Sequence, residues 1–212
     1  MARWLSCATA GSSSGPDMNA HPELLASGLL VDPPRRVPWY LRFGLWWARR
    51  SAGKEPLVGR LLAHAPRMAL TAGSFELGAA HGPRDLGRRE LAVARVVASA
   101  VSGCAFCIDM NAAGYPEAGL SRDELGTLLE LDEARWAKLG EREHAAAEYA
   151  RALSATPVVV PVELQRTMRR CFTDREIVVL AATIAQVNYW ARLNNGLGIP
   201  SAGFFDERAC AT

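Results

Sequence analysis

The stretch RELAVARVVASAVSGCAFCIDMNAA, residues 89–113, decides the fold class of this chain. Its apolar residues recur at helical spacing as far as Val101, and Gly103 then interrupts the pattern. We expect a second helix to start near Cys104, so that Cys104 and Cys107 lie one turn apart on the same helical face. The stretch therefore predicts two consecutive helices, the second of which opens with a pair of cysteines.

Helical patterns dominate the rest of the chain as well. Further helices are predicted over residues 39–50, 66–81, 84–101, 141–154 and about 174–195. Two segments, Ser121 to Glu124 and Thr173 to Glu176, have the spacing of capping boxes at helix starts. Residues 157–162 have a strand-like composition, but their two prolines favour a connection. The sequence predicts an all-α protein.

Composition and charge limit the class of protein. A chain of 212 residues that is 50% hydrophobic can bury the core of one domain, which we assign to residues 38–212. Residues 1–37 contain a Ser/Gly/Pro-rich patch and are predicted to be a flexible tail. The formal net charge of +2 does not indicate a nucleic-acid partner.

The cellular context follows from segments that the sequence lacks. The N-terminal residues do not form a convincing secretory signal, and the apolar run over residues 177–191 is too short to span a bilayer. Five cysteines are an odd number and do not resemble a secreted disulfide framework. We therefore expect a cytoplasmic protein without a membrane partner.

The two spaced cysteines allow three interpretations. A cysteine in the first turn of a helix is stabilised as a thiolate by free amides and by the helix dipole, and its pKa falls from ~8.5 towards ~7. Cys107, one turn away, could then close a disulfide. A metal site is the second interpretation, although no second CxxC motif exists and the four histidines lack ligand spacing. The third is a pair of small core residues.

Residues 89–113, together with FTDREIVVLAATIAQVNYWARLNNGLGIP over residues 172–200, resemble the carboxymuconolactone decarboxylase family, and within it the alkylhydroperoxidase D-like proteins. This resemblance implies an all-helical bundle that assembles as trimers or hexamers and uses no cofactor. Members with a CxxC motif reduce hydroperoxides or act as thiol–disulfide partners of a peroxiredoxin. Other members decarboxylate or rearrange small lactones.

The resemblance also implies catalytic residues. The cysteine pair of the family matches Cys104 and Cys107, and the family assigns peroxide attack to the second cysteine. A histidine of the peroxidase members falls on Asn111, which cannot take up a proton at neutral pH. Another histidine falls on Phe106. The family's glutamate falls two residues after Glu90, the nearest carboxylate. Our predicted catalytic residues are therefore Cys104, Cys107, Glu90 and Asn111, and Phe106 is predicted to contact substrate.

The last long helix carries polar residues that need partners. Asn188 and Arg192 lie four residues apart on one face, and we predict that they line a substrate pocket. The alternative is that they are satisfied within the chain, with Arg192 offsetting the helix dipole. Residues 194–196, Asn-Asn-Gly, are predicted to end this helix.

These observations lead to two principal hypotheses. The first is a thiol-dependent peroxidase or disulfide reductase that uses Cys104 and Cys107, with a hydroperoxide as substrate and a peroxiredoxin or another thiol–disulfide reductant as partner. The second is a cofactor-free decarboxylase, isomerase or dehydratase that acts on a small lactone-like molecule in a pocket of the same fold. A homo-oligomer that serves only as a binding scaffold is a third interpretation.

Overall fold

The computed structural model of the protein describes residues 28–54, 57–79 and 86–205. Over these residues the chain is helical, with no strand. In chain order the helices are α1 (Trp39–Ala52), α2 (Leu57–Leu62), α3 (Pro66–Ala79), α4 (Arg88–Val101), α5 (Ala105–Ala112), α6 (Arg122–Leu129), α7 (Glu133–Trp136), α8 (Glu141–Ser154), α9 (Val162–Cys171) and α10 (Asp174–Leu197). The all-α prediction is confirmed. Helices α2, α7 and α9 were not expected from the sequence.

Local sequence signals account for the starts of α6 and α10. Ser121 at the start of α6 accepts the Glu124 amide, and the Glu124 carboxylate accepts the Ser121 amide in return. Thr173 and Glu176 make the same reciprocal pair at the start of α10. Both predicted capping boxes are therefore confirmed. Residues 158–161 form a connection without regular structure, as the prolines indicated.

The end of α10 differs from the prediction. The helix does not stop at residues 194–196 but runs to Leu197, where Gly198 adopts a left-handed conformation with φ 68°. Only glycine takes up this conformation without strain, so Gly198 provides the stop. Asn194 therefore lies within the last turn of the helix, and its side chain points into the protein, where it is 1% exposed.

The main core lies between α4, α8 and α10. Alanines on α8 are almost completely buried, which lets that helix approach α4 and α10 closely. Leu180 and Ile184 of α10 fill the space opposite. Trp136 of α7 is fully buried and donates its indole N–H to the Thr127 carbonyl at 3.3 Å.

A second, smaller cluster of buried residues contains both cysteines. We call it the thiol cluster, and its members are Val58, Leu61, Cys104, Phe106, Cys107, Ala191 and Ile199. It is formed where α2, α5 and α10 meet the segment after α10. Residues 28–30, which we assigned to the tail, contact this region: Leu29 packs on the cluster and the Leu30 amide donates to the Leu197 carbonyl at 3.1 Å. Residues 1–27 lie outside the described part of the chain.

None of the described helices is long and apolar enough to cross a membrane.

Arg142 of α8 joins three other elements through its guanidinium. It donates to Glu90 of α4 at 2.8 Å, to Glu176 of α10 at 2.6 Å and to the Cys171 carbonyl at the end of α9 at 2.5 Å. Glu90 has a side chain that is only 12% exposed, so removal of Arg142 would leave a largely buried carboxylate without its ion-pair partner. The Thr173 backbone amide and the Arg142 guanidinium hold the pKa of Glu176 below its usual value.

We predict that Arg142→Met lowers the free energy of unfolding at pH 7 by about 1–2 kcal/mol, since it leaves two carboxylates without their cation. The pKa of Glu176 is depressed in the folded state. Its contribution to the free energy of unfolding is therefore present above pH ~4.3 and disappears as the pH falls through the pKa of Glu176 in the folded protein. Urea titrations of both proteins at pH 7 and pH 3 should therefore show a smaller difference at pH 3. An equal difference at both pH values would contradict an ionic contribution.

Candidate active site

Cys104 is the residue that caps the N-terminus of α5. Gly103, with φ 57°, changes the direction of the chain after α4. Helix α5 then begins at Ala105, close to Cys104 as predicted, and Cys104 is its cap. The Cys104 sulfur accepts the Cys107 backbone amide at 3.2 Å. A sulfur in this position takes the place of the hydroxyl or carboxylate oxygen that usually caps a helix. The cap fixes Cys104 beside the side chain of Cys107.

The two thiols have opposite tendencies to ionise. The adjacent Cys107 thiol, together with the Cys107 amide and Asn194, lowers the pKa of Cys104 to about 7, although burial acts in the other direction. The pKa of Cys107 is raised, because Cys104 lies beside it and because it is buried. The arrangement therefore favours the thiolate form of Cys104 and the protonated form of Cys107. Over the described residues, no three His, Cys, Asp or Glu side chains form a group that could hold a metal ion.

Asn194 of α10 is the site residue that the sequence analysis missed. Its amide nitrogen lies 3.5 Å from the Cys107 sulfur and 4.0 Å from the Cys104 sulfur. The sequence predicts that this asparagine is part of a helix stop. A signal was available in its position, since Asn194 falls three residues after Ala191, on the buried side of the helix.

Both thiols are sealed from solvent. Cys104 is 0% exposed and Cys107 is 2% exposed. Part of the cover is the segment after α10, residues 199–205, which we call the strap. Its residue Phe204 packs edge-on against Phe106, with ring centroids 6.2 Å apart.

The strap is bonded to two charged side chains. Asp109, which is 1% exposed and lies on α5, accepts the Ala202 amide at 2.9 Å and the Phe205 amide at 2.8 Å. Lys54 donates to the Ala202 carbonyl at 2.8 Å. Access to the sulfurs therefore requires a local opening of the strap or of another covering segment.

Glu90 does not lie near the thiols. It occupies the first turn of α4, while the cysteines follow the last turn, roughly 17 Å away along the helix axis at 1.5 Å per residue. Its carboxylate is bonded to Arg142. The structure therefore gives Glu90 a place in an ion-pair network and no contact with either sulfur.

Asn111 lies on α5 one turn after Cys107, and its amide points into the protein. It donates to the Ser99 hydroxyl at 2.9 Å and to the Cys107 carbonyl at 3.0 Å. The residue also lines an open cavity of about 340 Å³ together with Arg95. Phe106, our predicted substrate contact, is 5% exposed and packs within the thiol cluster.

Asn188 and Arg192 line a second cavity, of about 580 Å³. Asn188 accepts the Ser102 hydroxyl at 3.0 Å, and Arg192 donates to the Thr156 hydroxyl at 3.1 Å. Successive residues of a helix point about 100° apart, so this face of α10 differs from the face that carries Asn194. The structure thus brings Asn188 and Arg192 together at a cavity, on a different side of α10 from the sulfurs.

The sequence matches a family model over residues 66–152, which include both cysteines, and that model describes the carboxymuconolactone decarboxylase family. The chain belongs to the carboxymuconolactone decarboxylase family. Uncharacterized protein YnjA of Escherichia coli (strain K12) is 29% identical over 175 residues, which cover 82% of this chain and 94% of YnjA.

Solved structures of two proteins share the fold of this family member. The alkylhydroperoxidase AhpD core of a peroxidase-related protein from Ralstonia eutropha JMP134 is similar with a TM-score of 0.71 at 20% identity, over 84% of this chain and 95% of that chain. The debrominase Bmp8 in complex with 2,3,4-tribromopyrrole is similar with a TM-score of 0.69 at 18% identity, over 86% and 96% of the two chains. The all-helical fold of alkylhydroperoxidase D-like proteins is thereby confirmed.

We predict that Asp109→Asn makes the buried thiols more reactive. The substitution removes one charge-assisted bond to the strap and places an N–H group against a backbone N–H group, so the open state becomes more populated. Alkylation of Cys104 by iodoacetamide, followed by mass spectrometry, should accelerate about tenfold.

Glu130→Gln is the matched control, because Glu130 is an exposed carboxylate that pairs with Arg135. This control should leave the alkylation rate unchanged. If Asp109→Asn is alkylated at the same rate as the native protein, the strap does not limit access of the reagent to the thiols.

Proposed function

We propose that this protein is a thiol-dependent oxidoreductase that reduces hydroperoxides and cycles between a Cys104–Cys107 dithiol and disulfide. The observation that carries the proposal is the capped Cys104 sulfur, which accepts the Cys107 amide at 3.2 Å and has its pKa lowered to about 7. A thiolate is the nucleophilic form of cysteine, and a second thiol one turn away can resolve the product. Similarity to the AhpD core protein supports the same class of reaction.

The proposed reaction begins with Cys104. Its thiolate attacks the terminal oxygen of the hydroperoxide, so that an S–O bond forms, the O–O bond breaks and an alkoxide leaves and takes a proton from water. The sulfenic acid on Cys104 is then attacked by Cys107. An S–S bond forms, the S–O bond breaks, and the departing hydroxide takes the Cys107 proton and leaves as water.

This order of attack differs from the one that the family resemblance implied. There the second cysteine attacks the peroxide, whereas here the pKa of Cys107 is raised and that of Cys104 is lowered. Exposure gives no reason to prefer Cys107 either, because both sulfurs are buried. Our proposal therefore assigns attack to Cys104 and resolution to Cys107. It gives no proton-transfer role to Glu90, whose carboxylate is bonded to Arg142.

The proposal also includes the partners expected from the family. Regeneration of the dithiol requires a thiol reductant, for which a peroxiredoxin or another thiol–disulfide protein is the proposed class. A homo-oligomer, trimer or hexamer, in the cytoplasm is part of the same proposal.

A second candidate function is supported by the cavity on the other side of α10. Asn188 and Arg192 offer amide and guanidinium groups to a cavity of about 580 Å³, which is large enough for a small organic molecule. Similarity to a debrominase shows that this fold also occurs in a protein with another activity. A decarboxylase, isomerase or dehydratase of this kind would retain its activity when both cysteines are replaced by serine.

We expect the reduced protein to lose two thiols per chain on addition of one equivalent of hydrogen peroxide. One peroxide molecule accepts two electrons, which is the number released when two thiols form one disulfide. A thiol assay with Ellman's reagent in denaturant, before and after peroxide, measures this loss. Cys104→Ser should abolish it. Cys107→Ser should instead leave a sulfenic acid on Cys104, which dimedone traps with its characteristic mass. If both thiols stay reduced in millimolar peroxide, the peroxidase function is wrong.

Asn111→His tests whether a base improves the site. An imidazole at this position could take up a proton, which the native amide cannot, and general-base catalysis contributes a factor of 100 or more where geometry is favourable. We expect peroxide consumption at pH 7 to rise by about tenfold, as followed by loss of peroxide in a coupled assay. A rate that is unchanged or lower would show that the reaction does not depend on a base at residue 111.

A further inference from the structure

Asn194 combines two features that a structural asparagine does not need. Its side-chain nitrogen faces both sulfurs, at 3.5 Å from Cys107 and 4.0 Å from Cys104. Its side-chain oxygen, Oδ1, is buried and has no hydrogen-bond partner. Buried acceptors without a partner are uncommon in folded proteins, and each one calls for an explanation. An acceptor left open beside two reactive sulfurs is explained by a ligand that brings its own donor.

Asn194 lies beside an apolar cluster. The thiol cluster consists of the two cysteines and five apolar residues contributed by α2, α5, α10 and the strap. The charged groups next to it, Lys54 and Asp109, are bonded to the backbone of the strap. Among the described residues, Thr183 Oγ1 and Asn194 Oδ1 are the buried side-chain atoms without a hydrogen-bond partner, and of these two side chains it is Asn194 that contacts the sulfurs.

We propose that Asn194 is a third catalytic residue of the thiol site, whose N–H stabilises the Cys104 thiolate and whose Oδ1 accepts the O–H group of the hydroperoxide. This inference rests on the proposed peroxidase function and deepens it. The terminal O–H of a hydroperoxide is the only donor that such a molecule always carries. Oδ1 therefore selects the terminal oxygen for attack.

The same acceptor serves both sides of the first step. When the thiolate attacks the terminal oxygen, the O–H bond of that oxygen is not broken, and it becomes the O–H of the sulfenic acid. Oδ1 can hold this hydrogen bond from substrate to product while the S–O bond forms and the O–O bond breaks. The alkoxide that leaves carries no donor and takes its proton from water. In the second step hydroxide departs from Cys104 as water, with the proton of Cys107, and Oδ1 becomes free again.

The experiment uses Asn194→Leu, which removes both donor and acceptor, and Asn194→Asp, which keeps oxygen acceptors and removes the donor. Gln186→Leu is the control, because it also replaces a buried amide of α10, one whose partner is Glu76. Thermal unfolding shows how far each variant is destabilised. Two further readouts are compared with those of Gln186→Leu, so that faster opening caused by destabilisation is taken into account: the pH dependence of Cys104 alkylation, and the rate of thiol loss with hydrogen peroxide at pH 9.5.

The pH dependence tests the donor. We expect the midpoint of Cys104 alkylation to lie near pH 7 in the native protein and in Gln186→Leu, and to rise by about one unit in both Asn194 variants. Unchanged midpoints in the Asn194 variants would overturn the role of the N–H group. Where Asn194→Leu fails to fold, the Asn194→Asp midpoint decides this part.

The peroxide rate at pH 9.5 tests the acceptor, because Cys104 is ionised in every variant at that pH. Asn194→Leu should react at least ~10-fold more slowly than Gln186→Leu, since one hydrogen bond in the transition state is missing. Equal rates would overturn the role of Oδ1 while leaving the peroxidase function intact. A native protein that does not react with peroxide at all would overturn the proposed function itself, and the role of Oδ1 with it.

Discussion

The hydrogen bond from the Cys107 amide to the Cys104 sulfur is the interaction on which the site depends. It exists because Gly103 turns the chain sharply after α4, so that α5 begins with Cys104 as its cap. The same bond fixes the two sulfurs beside each other and favours the thiolate on the first of them. The neighbouring Cys107 thiol and the Cys107 backbone amide together favour the thiolate form of Cys104.

Burial sets an opposing constraint. An apolar environment disfavours a thiolate, and both sulfurs are sealed by α2, residues 28–30 and the strap. The protein offsets this with the adjacent Cys107 thiol and with amide donors from α5 and from Asn194 of α10. A buried, amide-stabilised sulfur is protected from bulk solvent and reacts only when its cover opens. The two bonds from Asp109 to the strap link this opening to the helix that carries the sulfurs.

Features that depend on neighbouring residues in the sequence could be predicted from it. The break at Gly103, the capping boxes of α6 and α10 and the family resemblance are of this kind. Features that depend on distant residues could not. Glu90 was the carboxylate nearest to the position of the family's glutamate, but Arg142, 52 residues later, binds its carboxylate. Asn194 resembled a helix stop, because the stop that operates, Gly198, is recognised only from its backbone conformation. The strap could not be predicted from the sequence, because Asp109 and Lys54, which bind its backbone, are remote from it in the sequence.

The central claim is that Cys104 is ionised near neutral pH while Cys107 stays protonated. The most direct measurement is an NMR titration of the reduced protein labelled with ¹³C at the cysteine β-carbons, with single cysteine-to-serine variants for assignment. The account predicts that the Cys104 β-carbon resonance moves with a midpoint near pH 7 and that the Cys107 resonance does not move until far higher pH. A Cys104 midpoint at or above the ordinary thiol value of about 8.5 would contradict it.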